Sequence, residues 1–115
     1  MPSHKPEPEW YHMHVYFCDE TADAAQVLYE QAQKQETVHS VGRFHIKPVG
    51  PHPVRQFQLL VTPQKRHAVE CWLNQNRGDL DVLIHPDIDD DLLAHTTLAR
   101  WLGNAHTLNL ERFKS

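Results

Sequence analysis

The sequence predicts an α+β domain of the ferredoxin-like type: order βαββαβ, an antiparallel sheet with helices on one face, and an extra C-terminal helix. Three observations carry this reading. Four segments alternate apolar and polar residues at the period of a strand, and two stretches between them repeat apolar residues at helical spacing. Glycines and prolines punctuate the joints. Another α+β sandwich with the same element order is the alternative.

Residues 1–9, MPSHKPEPE, are rich in Pro and Glu and predict a flexible arm; residues 10–115 predict one domain. WYHMHVYFC at 10–18 is the first strand. It sends Tyr11, Met13, Val15 and Phe17 to one face and His12, His14, Tyr16 and Cys18 to the other. Thr21 opens an Ala-rich stretch in which Ala24, Leu28 and Ala32 recur at helical spacing, so a helix is expected to about residue 35. SVGRFHIKPV, the second strand, sets Arg43, His45 and Lys47 against Phe44 and Ile46, and VGPHP at 49–53 is a turn. The third strand, VRQFQLLVT, places Phe57, Leu59 and Val61 opposite Gln56, Gln58 and Leu60. Thr62 and Pro63 form an N-cap and first-turn pair. The helix they start carries Ala68, Val69, Trp72 and Leu73 on one stripe and closes at Gly78. LDVLIHP is the fourth strand. A last helix is expected over 90–102, with Leu98, Trp101 and Leu102 apolar and Gly103 as its stop.

Composition narrows the function. A chain of 115 residues builds one core. A net charge of -4 argues against nucleic-acid binding, which needs a clustered basic surface. No apolar run reaches the length of a membrane span, and the first residues lack a signal-peptide core. Cys18 and Cys71 have no C-x-x-C spacing, so a reducing, cytoplasmic setting is expected, with Cys18 a buried inert thiol. Ten histidines exceed what packing needs.

With strand order 4-1-3-2, His12 and His14 at the start of the first strand lie beside His85 at the end of the fourth, with His45 near by. Alternation puts all four, with Arg43 and Gln58, on the face away from the helices. His52 in the turn is close to the same rim. One histidine on a strand is ordinarily a half-exposed polar residue. Four agreeing in face and end point to a metal or acid–base site, although imidazole alone does not choose among zinc, iron, copper and nickel. No zinc-finger or H-E-x-x-H spacing is present. Asp89, Asp90 and Asp91 read as solvated charges favoured at a helix start. His4, His39, His67 and His106 read as surface residues. An open face bearing Tyr16, Leu60 and Leu83 predicts a symmetric homodimer, with the partner or the last helix walling the pocket.

YHMHVYF, VGRFHIKPVGPHP, NRGDLDVLIHP and DDDLLAHTTLARWLG, in that order, resemble the DOPA 4,5-dioxygenase family from Trp10 to Gly103. The resemblance implies a ferredoxin-like dimer that cleaves a catechol such as DOPA by extradiol chemistry, using non-haem iron(II) and O2. The family's motif histidines fall on His12, His14, His45, His52, His85 and His95. Asp89 departs from the pattern, in a position where the family tends to carry glycine.

Such chemistry needs a metal held on one side, with positions left for catechol and O2. The metal is expected on three of His12, His14, His45 and His85, with iron(II) in the cell and zinc a substitute in a purified sample. His12 or His52 is expected to move the catechol proton. Arg43, Gln58, Arg77 and His95 are expected to contact substrate, arginine suiting a carboxylate through its bidentate geometry. Two readings compete with this one: a non-catalytic dimer binding a metal or small ligand, and a cofactor-independent monooxygenase on the same scaffold. The physiological substrate is not legible.

Overall fold

In the computed structural model, which describes residues 8–113, the chain runs β1 (Tyr11–Phe17), α1 (Ala22–Ala32), β2 (Ser40–Val41), β3 (Arg55–Val61), α2 (Pro63–Asn76), β4 (Asp81–Pro86), α3 (Asp91–His95) and β5 (Arg100–Leu102). The arm expected over 1–9 lies outside the described residues except for Pro8 and Glu9. β1 is the middle of a five-stranded sheet of order β2-β3-β1-β4-β5, antiparallel at every pairing. The expected 4-1-3-2 order is therefore present, with one strand added beside β4.

Alternation along β1 and β3 divides the sheet as expected. Met13, Val15, Phe57, Leu59 and Val61 are fully buried against Ala25 and Leu28 of α1 and Val69 and Leu73 of α2. Thr62 holds an extended backbone ahead of Pro63, whose fixed φ suits the first turn of α2. Gly78 follows the helix at φ +56, a left-handed conformation that costs glycine little.

Three elements differ from the sequence reading. The second strand shrinks to Ser40–Val41, after which Gly42 N–H still donates to Gln58 O at 2.7 Å and His45 bridges to Gln56. Phe44 still packs on the core side against Phe17 and Phe57, but Ile46 is 72% exposed. The helix expected over 90–102 stops after His95, where the Thr96 hydroxyl donates to Leu92 O at 2.6 Å, and the chain turns to make β5. Cys18 is exposed rather than buried, because it stands one residue beyond β1.

The face away from α1 and α2 is not open. Trp101 and His106 stand edge-on to the Tyr16 ring at 5.6 and 4.9 Å, and Phe113 lies 4.6 Å from His95. Asp81 pins this covering segment through Asn104 N–H and His106 Nε2, each at 2.8 Å, and Asn109 N–H donates to Pro51 O at 2.8 Å. Tyr16 and Leu83 are therefore buried by the chain's own residues, whereas Leu60 stays half-exposed. His106, expected at the surface, is half-buried and part of this cover. Among the described residues no helix is long and apolar enough to cross a membrane.

Candidate metal centre

Residues directly opposite in neighbouring strands share a face, so register builds the site row by row. The outermost row is Leu60–His12–His85, the next Gln58–His14–Leu83, and the third Gln56–Tyr16–Asp81 with His45 bridged to Gln56. Two further rings arrive from outside the sheet, His52 from the turn before β3 and His95 from the end of α3. Ring centroids are 5.0 Å apart for His14–His85, 5.1 Å for His12–His85 and 6.1 Å for His12–His14. His52 lies 4.1 Å from His14, and His95 lies 4.0 Å from His85.

Hydrogen bonds fix which nitrogens carry protons. His85 Nδ1–H donates to Pro86 O at 3.0 Å and His95 Nδ1–H to Asp91 O at 2.7 Å, since carbonyls only accept. His14 Nδ1–H donates to Gln56 Oε1 at 2.9 Å. All three rings thus present an unprotonated Nε2, and those of His14 and His85 face each other at 3.0 Å. Two lone pairs at that distance repel unless a cation lies between them. Imidazole nitrogens about 2.0–2.1 Å from one metal stand roughly 2.9–3.4 Å apart, so the spacing fits a shared ion. An Nδ1–H held by a protein acceptor is also the usual support of a metal-binding histidine.

His12 is the third ring of the sheet cluster. Its Nε2 is 3.6 Å from Asp87 Oδ2, while its Nδ1 is buried with no hydrogen-bond partner. Among the described residues no group of three or more His, Cys, Asp or Glu side chains stands as an assembled coordination sphere.

Burial favours the neutral form of four of these rings. Desolvation first, then the neighbouring rings of His52 and His85, pushes His14 well below the ordinary imidazole value. Desolvation and then His95 bring His85 down to about 3 and His52 down to about 4. Burial also lowers His95, and it raises Tyr16, whose hydroxyl is 2.7 Å from His52 Nδ1. A phenol held protonated donates that bond and leaves His52 Nδ1 as the acceptor.

The family model of the Dopa 4,5-dioxygenase family matches residues 11–112. The chain belongs to the DOPA 4,5-dioxygenase family. A DOPA 4,5-dioxygenase of Amanita muscaria is 31% identical over 89% of this chain, and an uncharacterized 21.2 kDa protein of Botryotinia fuckeliana is 34% identical over the same share. The chain spans only 48% and 62% of those two relatives, respectively. The crystal structure of a candidate dioxygenase from Nostoc punctiforme superposes with a TM-score of 0.86 at 36% identity, covering 91% of this chain and 90% of that one.

Of the residues the DOPA dioxygenase resemblance singled out, the structure gathers His12, His14, His52, His85 and His95. His45 stands on the same face but in the third row, bridged to Gln56 and apart from the gathered rings. Gln58 is beside His14 in its row. Arg43 is exposed after β2. Arg77 is at the opposite end of the sheet, its guanidinium donating to Asn74 Oδ1, Gly78 O and Leu80 O, so it caps α2 rather than meeting the cluster. Gln56 and Tyr16, which orient His14 and His52, were not singled out. Alternation does place both on the histidine face, but nothing in their identity marks them as partners of imidazoles.

Proposed function

We propose that the cluster is the iron(II) centre of an extradiol ring-cleaving dioxygenase acting on a catechol such as DOPA. The observation carrying this reading is the opposed pair of unprotonated nitrogens on His14 and His85, with the orphaned Nδ1 of His12 beside them. His14, His85 and His12 would hold the ion. Iron(II) held there would supply the redox chemistry that joins O2 to a catechol.

The protein's own groups do the rest. Gln56, Pro86 O and Asp91 O fix the ring tautomers. Tyr16 donates to His52 Nδ1, so the neutral ring carries its proton on Nε2 and would give it to the substrate as a general acid. The cover over 100–113 excludes water. His95 and Gln58 border the position a substrate would take. Two exposed free cysteines, Cys18 and Cys71, favour a reducing compartment.

The test is anaerobic reconstitution with iron(II), then O2 uptake and ring-cleavage product against a panel of catechols. Stoichiometric iron and catechol-dependent uptake, both lost in His14→Ala and His85→Ala, are expected. Uptake that survives chelation would instead indicate a cofactor-independent monooxygenase. Tight metal with no uptake would indicate a binding protein.

A further inference from the structure

A cleft of about 620 Å³ opens at the same end of the sheet but on the opposite face, and no histidine lines it. Its volume is that of a small-molecule site. Tyr11, Ile88, Leu93 and Leu98 give it apolar walls.

The charged groups on its lining are of both signs. Arg66 lies over the Tyr11 ring at 5.5 Å and donates to Glu70 Oε2. Arg100 reaches the same carboxylate through Nη1 alone, 3.1 Å from Oε1 and 3.4 Å from Oε2, and its side chain remains 61% exposed. Two guanidiniums therefore share one buried carboxylate, leaving a net positive charge with unused donors among the described residues. Asp89 and Asp90 supply carboxylates on the lining. Asp90 Oδ1 accepts Leu93 N–H at 2.9 Å as the cap of α3, whereas Asp89 is exposed and makes no ion pair among the described residues.

We propose that this cleft binds a small zwitterion with a large apolar body, an α-amino acid with an aromatic or branched side chain. Arg100, helped by Arg66, would hold the carboxylate through charge-assisted hydrogen bonds. Asp89 faces the ammonium, and the apolar walls take the side chain. The inference is independent of the metal reading, since no cluster histidine takes part.

The experiment titrates the full chain calorimetrically with L-phenylalanine, 3-phenylpropionate and phenethylamine, none of which is a catechol. Phenylalanine is expected to bind at least about tenfold tighter than either singly charged analogue, the gain that about 1.4 kcal/mol gives. Arg100→Gln and Asp89→Asn should each weaken it by about tenfold. Leu98→Trp, which fills the cleft without touching the ion cluster, should abolish binding while the protein still melts cooperatively. His14→Ala should leave binding unchanged, which separates this site from the proposed metal centre. Equal affinity for all three compounds, no saturable binding of phenylalanine, or full binding by a folded Leu98→Trp protein would overturn the proposal.

Discussion

His14 and His85 oppose each other Nε2 to Nε2 at 3.0 Å, although each has already given its Nδ1–H to a protein acceptor. Neutral rings so placed gain from a cation. Divalent metal should therefore raise the melting temperature, by an amount equivalent to about 2.7 kcal/mol at a hundredfold excess over Kd. Scanning calorimetry with and without metal checks this. His14→Ala should lose the effect, and His67→Ala, on the exposed side of α2, should keep it.

Gln56→Leu should weaken metal binding without changing the fold. It strips the acceptor from a buried His14 Nδ1–H, costing about 1–3 kcal/mol of stability. Losing such an outer support lowers metal affinity roughly 10–100-fold. Competition against a chelator of known affinity measures it.

His52→Ala should retain metal and lower turnover by roughly 10²–10⁴-fold, the size of a general acid–base contribution. Tyr16→Phe removes the hydroxyl that aims His52 at 2.7 Å and should produce a smaller loss in the same direction. Metal content by elemental analysis beside steady-state O2 uptake separates these variants from ligand replacements.

Acid should destabilise the metal-free protein. Folded His52 and His85 titrate near 4 and 3, with His14 and His95 also lowered, against about 6.5 when unfolded. Below pH 6.5 the unfolded chain binds more protons, so stability falls with pH by up to about 1.4 kcal/mol per unit for each histidine. The loss is complete once pH drops below the folded values, and above pH 6.5 these groups contribute no slope. Urea midpoints at pH 5, 6, 7 and 8 should show a decline confined to the acid side.

Gly103→Ala should cost far more than Gly78→Ala. Both backbones are left-handed, at φ +81 and +56, which costs an L-residue about 1–2 kcal/mol. A Cβ at Gly78 meets nothing within 4 Å, but one at Gly103 runs into the Asp81 carboxylate and comes within 2.8 Å of Arg77 Nη1. Thermal melts of the two variants make the comparison.

Strict alternation in β1, β3 and β4 made the histidine face legible, because one residue of slip would move every side chain to the other face. His12 and His85 could be paired from sequence for that reason. Alternation failed over 42–53, where Pro48, Pro51 and Pro53 have no N–H to give a ladder and the chain leaves the sheet after Gly42 except at His45. Leu98, Trp101 and Leu102 satisfy a helical spacing, yet Arg100–Leu102 equally fits the short edge strand it forms, so periodicity alone does not separate the two. Residues 103–113 carry no period at all. Their role as cover depends on Asp81 and Pro51, which are distant in sequence, so it could not be read locally.

The site is assembled entirely from long-range contacts: His14 and His85 are 71 residues apart, and His14 and Gln56 are 42 apart. β1 must accept both β3 and β4 before these rings meet, and such topologies fold slowly. A species lacking either pairing would lack part of the proposed ligand set, so a bound metal is not expected to template the chain. It should act as a latch on the finished fold, slowing unfolding while leaving the refolding rate nearly untouched.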